Sequence, residues 1–254
     1  MHNFQPKTLF LGKNLIYLPS CHSTNDVAAE KIQKESIFDG TIVITSDQTA
    51  GRGQRGNNWE ALPGQNITMS VILKPDFLTA TSQFRLNIAI SLGVHEFLSK
   101  YVAENLRIKW PNDVYIGNRK MGGILIENTI AGSRLNYSIV GIGLNINQLN
   151  FSNDKAISLR LATCQDEFDL EKLIEELCVC LEKYYLQLKN GHIDKQKEQY
   201  LNMLYRYQET HVFSKNGSSF LGKIVDIADS GQLMLEVEGG IQYFGFKEVA
   251  FEIV

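Results

Sequence analysis

Three segments of this 254-residue chain spend glycine or charge where a purely structural segment has no use for either. The first is Gly51-Arg52-Gly53-Gln54-Arg55-Gly56. Glycine lets the backbone approach a ligand closely and turn N–H groups toward it. Arginine adds a fork of donors matched to carboxylate or phosphate. The chemistry is capture of an anion under a closing loop; a solvated Gly/Arg surface loop is the plain alternative. The second segment joins Lys109-Trp110-Pro111-Asn112-Asp113 to Arg119-Lys120-Met121-Gly122-Gly123. One carboxylate among basic groups can hold Mg²⁺ on a triphosphate, and a lysine after a hairpin can bridge two anions that repel one another. A salt-bridged hairpin, with Gly122 and Gly123 permitting close sheet packing, would carry the same residues. The third, Gly141-Ile142-Gly143-Leu144-Asn145, ends an apolar strand with two glycines and an amide. An amide can read an adenine edge, and glycine leaves room for a flat ring. As a lone G-x-G it is equally a strand-end turn, and no third glycine or helix start makes it a dinucleotide fingerprint.

The elements that must position these segments follow from periodicity. Residues 14–18 predict a short strand, and the run Ser23-Thr24-Asn25-Asp26 offers several caps for a helix after it. The β-branched run 41–47 predicts a buried strand, 50–59 a loop, and 66–73 the next strand. A helix is expected over 81–104, then a strand at 107–110 that Pro111 interrupts. Gly117-Asn118 signals a two-residue hairpin whose second arm runs through 124–127, and 136–146 is a further apolar strand. Leu170, Leu173, Ile174, Leu177, Leu181, Tyr184 and Leu188 keep a helical period ended by Asn190-Gly191, and a second helix covers 193–205. After Tyr207 five short strands separated by Asn216-Gly217, Ser230-Gly231 and Gly239-Gly240 predict a small closed barrel.

Bulk properties narrow the class. Hydrophobic content of 44% and charged content of 21% fit a folded globular chain, and a net charge of −3 speaks against a general nucleic-acid binder. The start MHNFQPKTLF lacks the apolar core of a secretory signal, and no apolar run reaches the roughly 18 residues that span a bilayer. Cys21, Cys164, Cys178 and Cys180 form no CxxC pair and read as reduced thiols of a cytoplasmic protein.

In this order and spacing, Ser23-Thr24-Asn25, Gln48, GRGQRGNNW, KWPND, RKMGG and GIGLN resemble the biotin–protein ligases. The motifs cover residues 14–150, and the later helices and strands fit the same layout in outline. The resemblance implies an α/β (α+β) fold. Residues 1–207 would form a mixed-sheet catalytic domain like that of class II aminoacyl-tRNA synthetases and biotin ligases. Residues 208–254 would form a small C-terminal SH3-like β-barrel. It further implies ATP and Mg²⁺, biotin as substrate, and a biotin carboxyl carrier protein or domain as acceptor, with no DNA and no membrane as partner. Both monomers and sheet-edge homodimers occur among such ligases.

The roles it implies are these. Ser23, Thr24, Asn25 and Gln48 line the biotin pocket. Arg52 and Gly53 of the glycine loop close on biotin and its adenylate, Lys120 contacts the reacting carboxylate, and Gly122 stands beside it. Arg55, Trp59, Lys109, Asn112, Asp113 and Asn145 border the nucleotide, with Asp113 at the Mg²⁺. The loop departs from the family in carrying Gln54 and Asn57 where basic residues are common. The STN element arrives by residue 23, so no winged helix-turn-helix is expected before it. No protein nucleophile is implied, and His22 reads as a surface or packing group. A lipoate–protein ligase is the nearest rival, but its glycine-rich arginine segment ending in His-Asp is absent. A biotin-sensing repressor and a catalytically dead relative are further rivals. The acidic charge opposes the first, and the retained Lys120, Asp113 and Arg52 oppose the second.

Overall fold

Apolar and β-branched runs make seven strands of one mixed sheet: β1 (Leu15–Cys21), β2 (Thr41–Gln48), β3 (Ile67–Leu73), β4 (Leu106–Lys109), β5 (Asp113–Ile116), β6 (Arg119–Ala131) and β7 (Arg134–Leu144). The computed structural model describes residues 4–252 and orders these strands β1-β2-β3-β7-β6-β5-β4. Only β1 and β2 run parallel, and parallel pairing needs a crossover, which helix α1 (Thr24–Lys34) provides. The remaining neighbours are antiparallel. The Gly117-Asn118 hairpin forms between β5 and β6, with Gly117 at φ +56.

Side chains alternate between the two faces of a strand. On one face Ile67, Met69, Val71 and Leu73 of β3 and Val140, Ile142 and Leu144 of β7 join the main apolar core with helices α2 (Phe84–Ser99) and α4 (Leu170–Lys189). On the other face Val43, Ile72 and Ile139 meet Ala28 of α1. Further along that second face the alternation leaves small residues: Thr68 and Ser70 on β3, Gly141 and Gly143 on β7, and Gly123 on β6. The register aligns Thr68 with Gly143, Ser70 with Gly141, and Gly143 with Gly123. Three central strands therefore share a floor of mostly small residues, with Leu125 the bulky side chain beside Gly141.

The helix expected over 81–104 is shorter. A 3-10 turn occupies Ala80–Ser82, α2 begins at Phe84, and after Ser99 the chain reverses into β4 through Asn105 at φ +59. Two short helices, α3 (Leu159–Thr163) and α5 (Ile193–Asn202), flank α4. Asp169 caps α4 by accepting the N–H groups of Glu171 and Lys172. The N-terminal segment is strapped to α4 by the buried Glu182 carboxylate, which accepts N–H bonds from Leu9, Phe10 and Leu11 at 2.6, 2.8 and 2.9 Å.

Strands β8 (Thr210–Lys215), β9 (Ser218–Ile227), β10 (Leu233–Val237), β11 (Gly240–Phe244) and β12 (Ala250–Phe251) form a second, antiparallel sheet in the order β11-β10-β9-β8-β12. Its inward residues Phe213, Ile224, Leu233, Leu235 and Phe244 belong to the same apolar cluster as the large sheet. Trp110 ties the two sheets together, with its Nε1 donating to Gly231 O at 2.9 Å and its ring centroid 5.4 Å from that of Phe246. Among the described residues no helix is long and apolar enough to cross a membrane.

Candidate active site

A cleft of about 660 Å³ lies over the small-residue floor. Its walls come from the N-terminus of α1, the glycine loop, the β4–β5 corner and residues 247–251 of the C-terminal sheet.

Ser23 is the N-cap of α1 by backbone geometry, yet its side chain makes no capping bond. Gln48 does that work instead. Its Oε1 accepts the Thr24 N–H at 2.9 Å, satisfying one of the orphan donors at the helix start. With the oxygen so engaged, the amide nitrogen is the end left for a ligand. Behind them Ser70, fully buried, lies 2.7 Å from Thr24 Oγ1 and 2.6 Å from Asn25 Oδ1. A hydroxyl has one hydrogen, so Ser70 donates to the Asn25 oxygen and accepts from Thr24. Gly141 makes room for that amide: a Cβ there would stand 3.0 Å from Asn25 Cγ.

The glycine loop, expected to lack regular structure, folds as a miniature hairpin. Arg52 bridges Asn58, Trp59 N–H donates to Gly51 O at 2.9 Å, and a 3-10 turn spans Gln54–Gly56. Two glycines make this possible: Gly56 sits at φ +83, and a Cβ at Gly51 would approach Gln48 Nε2 to 2.7 Å. Arg52 lines the cleft and Gly53 lies beside it. The side chain of Arg55, singled out from the sequence, lies outside the described residues.

Lys120 and Asp113 meet at 2.7 Å between Nζ and Oδ1. Both line the cleft, with Gly123 beneath them, and the Lys120 ammonium lies 5.8 Å from the ring centroid of Trp59. Lys109 is more deeply set. Its Nζ donates to Tyr115 Oη at 3.2 Å and lies over the Tyr115 and Phe251 rings at 4.7 and 5.2 Å. Burial pushes its pKa below the usual lysine value, while the Asp113 carboxylate pulls it back up. Asn112 lines the cleft but spends its amide on Ile124 O at 2.5 Å, pinning the corner to β6.

Two expected residues stand apart from the cleft. Gly122 points to the opposite face of β6 from Gly123, and a Cβ there would meet Gly143 O at 2.8 Å. Asn145 is buried beyond the end of β7, where its Nδ2 donates to Ile157 O at 3.3 Å. The flat ring that Gly143 admits is the Trp59 indole, since a Cβ at Gly143 would lie 2.8 Å from Trp59 Nε1.

Sequence reasoning missed Ser70, Glu127, Lys247 and Phe251, and noted Asp26 only as a capping candidate. Glu127 left one trace, a carboxylate closing the apolar run Ile124-Leu125-Ile126. Lys247 and Phe251 left none, because they reach the cleft from the far end of the chain. Among the described residues no cluster of three or more His, Cys, Asp or Glu side chains stands ready for a metal.

Residues 17–145 match the model of the biotin/lipoate A/B protein ligase family. The chain belongs to this family. Among its members, the bifunctional ligase/repressor BirA of Bacillus subtilis is 33% identical over 247 residues, covering 94% of this chain and 74% of that protein. The biotin–[acetyl-CoA-carboxylase] ligase of Mycobacterium tuberculosis is 27% identical over 220 residues, covering 85% and 81%. The biotin protein ligase of Aquifex aeolicus, solved in complex with biotin and ATP, superposes with a TM-score of 0.78 at 25% identity, covering 95% of this chain and 100% of that one. The family resemblance therefore extends over both sheets.

Proposed function

We propose that this chain is an ATP-dependent biotin–protein ligase. It joins biotin and ATP into biotinyl-AMP and pyrophosphate, then passes the biotin to a lysine of a biotin carboxyl carrier protein or domain. The observation that carries the reading is one cleft that gathers Ser23, Thr24, Asn25 and Gln48 at one end and Lys109, Asp113 and Lys120 at the other, with Arg52 on its wall. Its overall likeness to a ligase solved with biotin and ATP supports the same substrates.

The chemistry needs this layout. A carboxylate and an α-phosphate both carry negative charge, and at about 4 Å they repel by ~4 kcal/mol at an effective dielectric near 20. Lys120 and Arg52 offset that repulsion, and the carboxylate oxygen attacks the α-phosphorus as pyrophosphate leaves. The donors of Gln48 and the STN turn hold the other end of biotin, so the reacting oxygen is presented rather than found by diffusion. The resulting mixed anhydride is open to water, which gives the glycine loop its use as a cover. The carrier ε-amine then attacks the acyl carbon and AMP departs.

Mg²⁺ supplies charge neutralisation on the triphosphate when bound. One carboxylate, Asp113, fits a cation whose other ligands are phosphate oxygens and water, the usual mode for Mg²⁺ on nucleotides. The reading keeps a division at 207/208, with the C-terminal unit contributing Lys247, Val249, Ala250 and Phe251 to the cleft.

Pyrophosphate–ATP exchange tests the proposal and separates it from the lipoate branch of the same family. Exchange is expected with biotin and Mg²⁺, and not with lipoate at matched concentration. Equal exchange with lipoate overturns the biotin assignment.

A further inference from the structure

Resting on the ligase reading, we infer that Glu127 is a positioning residue for the adenylation reaction: it holds the Arg52 guanidinium and the Asn25 amide together, and so fastens the glycine loop to the biotin end of the cleft. Glu127 lies on β6, four residues past Gly123, and is not among the residues lining the cleft. Its carboxylate meets Arg52 as a fork. Arg52 Nη1 donates to Oε1 at 3.0 Å and Nη2 to Oε2 at 2.7 Å. The same Oε2 accepts the Asn25 Nδ2 hydrogen at 2.7 Å. Asp26, one residue further along α1, forms an ion pair with Arg52, its Oδ1 2.6 Å from Nη2. One carboxylate therefore joins three segments distant in sequence: the start of α1, the glycine loop and β6.

Donor arithmetic says what this arrangement leaves for a ligand. Guanidinium has five N–H donors in a plane. The bonds to Glu127 engage two, so three remain, in a plane that the Glu127 fork fixes. Asn25, in turn, has its oxygen on Ser70 and its nitrogen on Glu127, so its rotamer is settled from both ends. A chain of bonds runs Gln48–Thr24–Ser70–Asn25–Glu127–Arg52, its first link being the Thr24 backbone N–H, from the biotin end of the cleft to the loop that covers it. An arginine on a glycine-rich loop otherwise samples many conformers, and ordering it on ligand binding costs free energy that the preset fork removes.

The sign of the effect separates positioning from plain electrostatics. Glu127 adds a negative charge near a site that takes anions. If it acted only through that charge, Glu127→Gln would tighten binding of biotinyl-AMP. Positioning demands the reverse. With the fork lost, biotinyl-AMP should leave about tenfold faster, the scale of one charge-assisted hydrogen-bonded pair. The amide of Gln keeps an oxygen for Asn25, so the fold should hold. Glu30→Gln, which removes an equal charge from an exposed site paired with Lys34, serves as the control and should leave release unchanged.

The experiment follows release of preformed biotinyl-AMP by chase in the wild type, Glu127→Gln, Arg52→Lys and the double variant. In the Arg52→Lys background the fork is already gone, so Glu127→Gln should change release less than twofold. Should Glu127→Gln not fold, Glu127→Asp, with the same charge and shorter reach, takes its place with the same expected direction. Unchanged or slower release in the single variant, or additive losses in the double variant, overturns the inference. Failure of the wild type to form biotinyl-AMP at all would instead overturn the ligase reading, a distinguishable result.

Discussion

The indole of Trp59 lies against Gly143, at a place where a β-carbon would stand 2.8 Å from both Nε1 and Cζ2. This packing joins the end of the glycine loop to the floor of the cleft. Gly143 is not at positive φ among the described residues, so alanine would be tolerated by the backbone and opposed only by the ring. Gly143→Ala should therefore displace Trp59 and loosen the loop without unfolding the sheet. Overpacking of this kind costs about 1–3 kcal/mol, and here it should appear as weaker adenylate retention. Tryptophan fluorescence and a thermal melt check it together: an unchanged emission spectrum with unchanged retention would mean that the ring does not depend on Gly143.

Lys120 stands 2.7 Å from Asp113 and 5.8 Å from the centroid of the Trp59 ring. Lys120→Ala should cripple formation of biotinyl-AMP more than it weakens biotin binding. A cation whose contact strengthens as charge redistributes lowers the rate when removed, and by comparison with other preorganised donors the loss should be of order 10²–10³. Single-turnover adenylation at saturating biotin gives the rate, and calorimetry gives the affinity. Collapse of affinity with a surviving rate would make Lys120 a binding residue.

Lys109 carries its charge where burial opposes it. Function at such a site is often bought with stability. Lys109→Met keeps the aliphatic stem among Tyr115 and Phe251 and removes the desolvated ammonium. Its melting temperature should rise, by roughly 2–4 °C for each kcal/mol relieved in a chain of this size, while ATP-dependent adenylation slows. A fall in melting temperature would show that the contacts of the ammonium with the Tyr115 and Phe251 rings outweigh its desolvation.

His95 on α2 is buried, and its Nε2–H donates to Leu106 O at 3.3 Å. Burial pushes its pKa below the ordinary 6.5, the Leu106 carbonyl raises it in part, and Arg107 lowers it further. The sign follows from linkage. The unfolded chain binds this proton at a higher pH than the folded one, so stability rises with pH between the two values. The contribution is present in full above 6.5 and is lost as pH falls through the folded pKa. Urea unfolding measured from pH 7.5 to 5 should show declining stability, and His95→Gln should flatten that slope. An identical slope in the variant would exclude His95 as its source.

Much of this protein is legible in its residues alone. The β-branched runs at 41–47 and 66–73, the Gly117-Asn118 turn and the heptad-like leucines of α4 declare their elements because each depends on local periodicity or turn chemistry. The motifs, taken in order, also mark most of the residues that line the cleft. What they cannot declare is which way a residue faces once strands are registered. Gly122 and Gly123 are neighbours of one type, yet pleating sends one to the core and the other to the cleft. Asn145 follows Gly143 by two residues, but β7 ends at Leu144, and the Asn145 amide nitrogen donates to Ile157 O outside the cleft lining. Glu127, Asp26 and Arg52 lie far apart in the chain, and only the pairing of β6 with β7 and the seating of α1 over that sheet bring their charges together. Local pattern determines the elements and the reactive groups; long-range register and packing decide which of those groups share a cleft, because contacts between distant segments leave no period in the sequence.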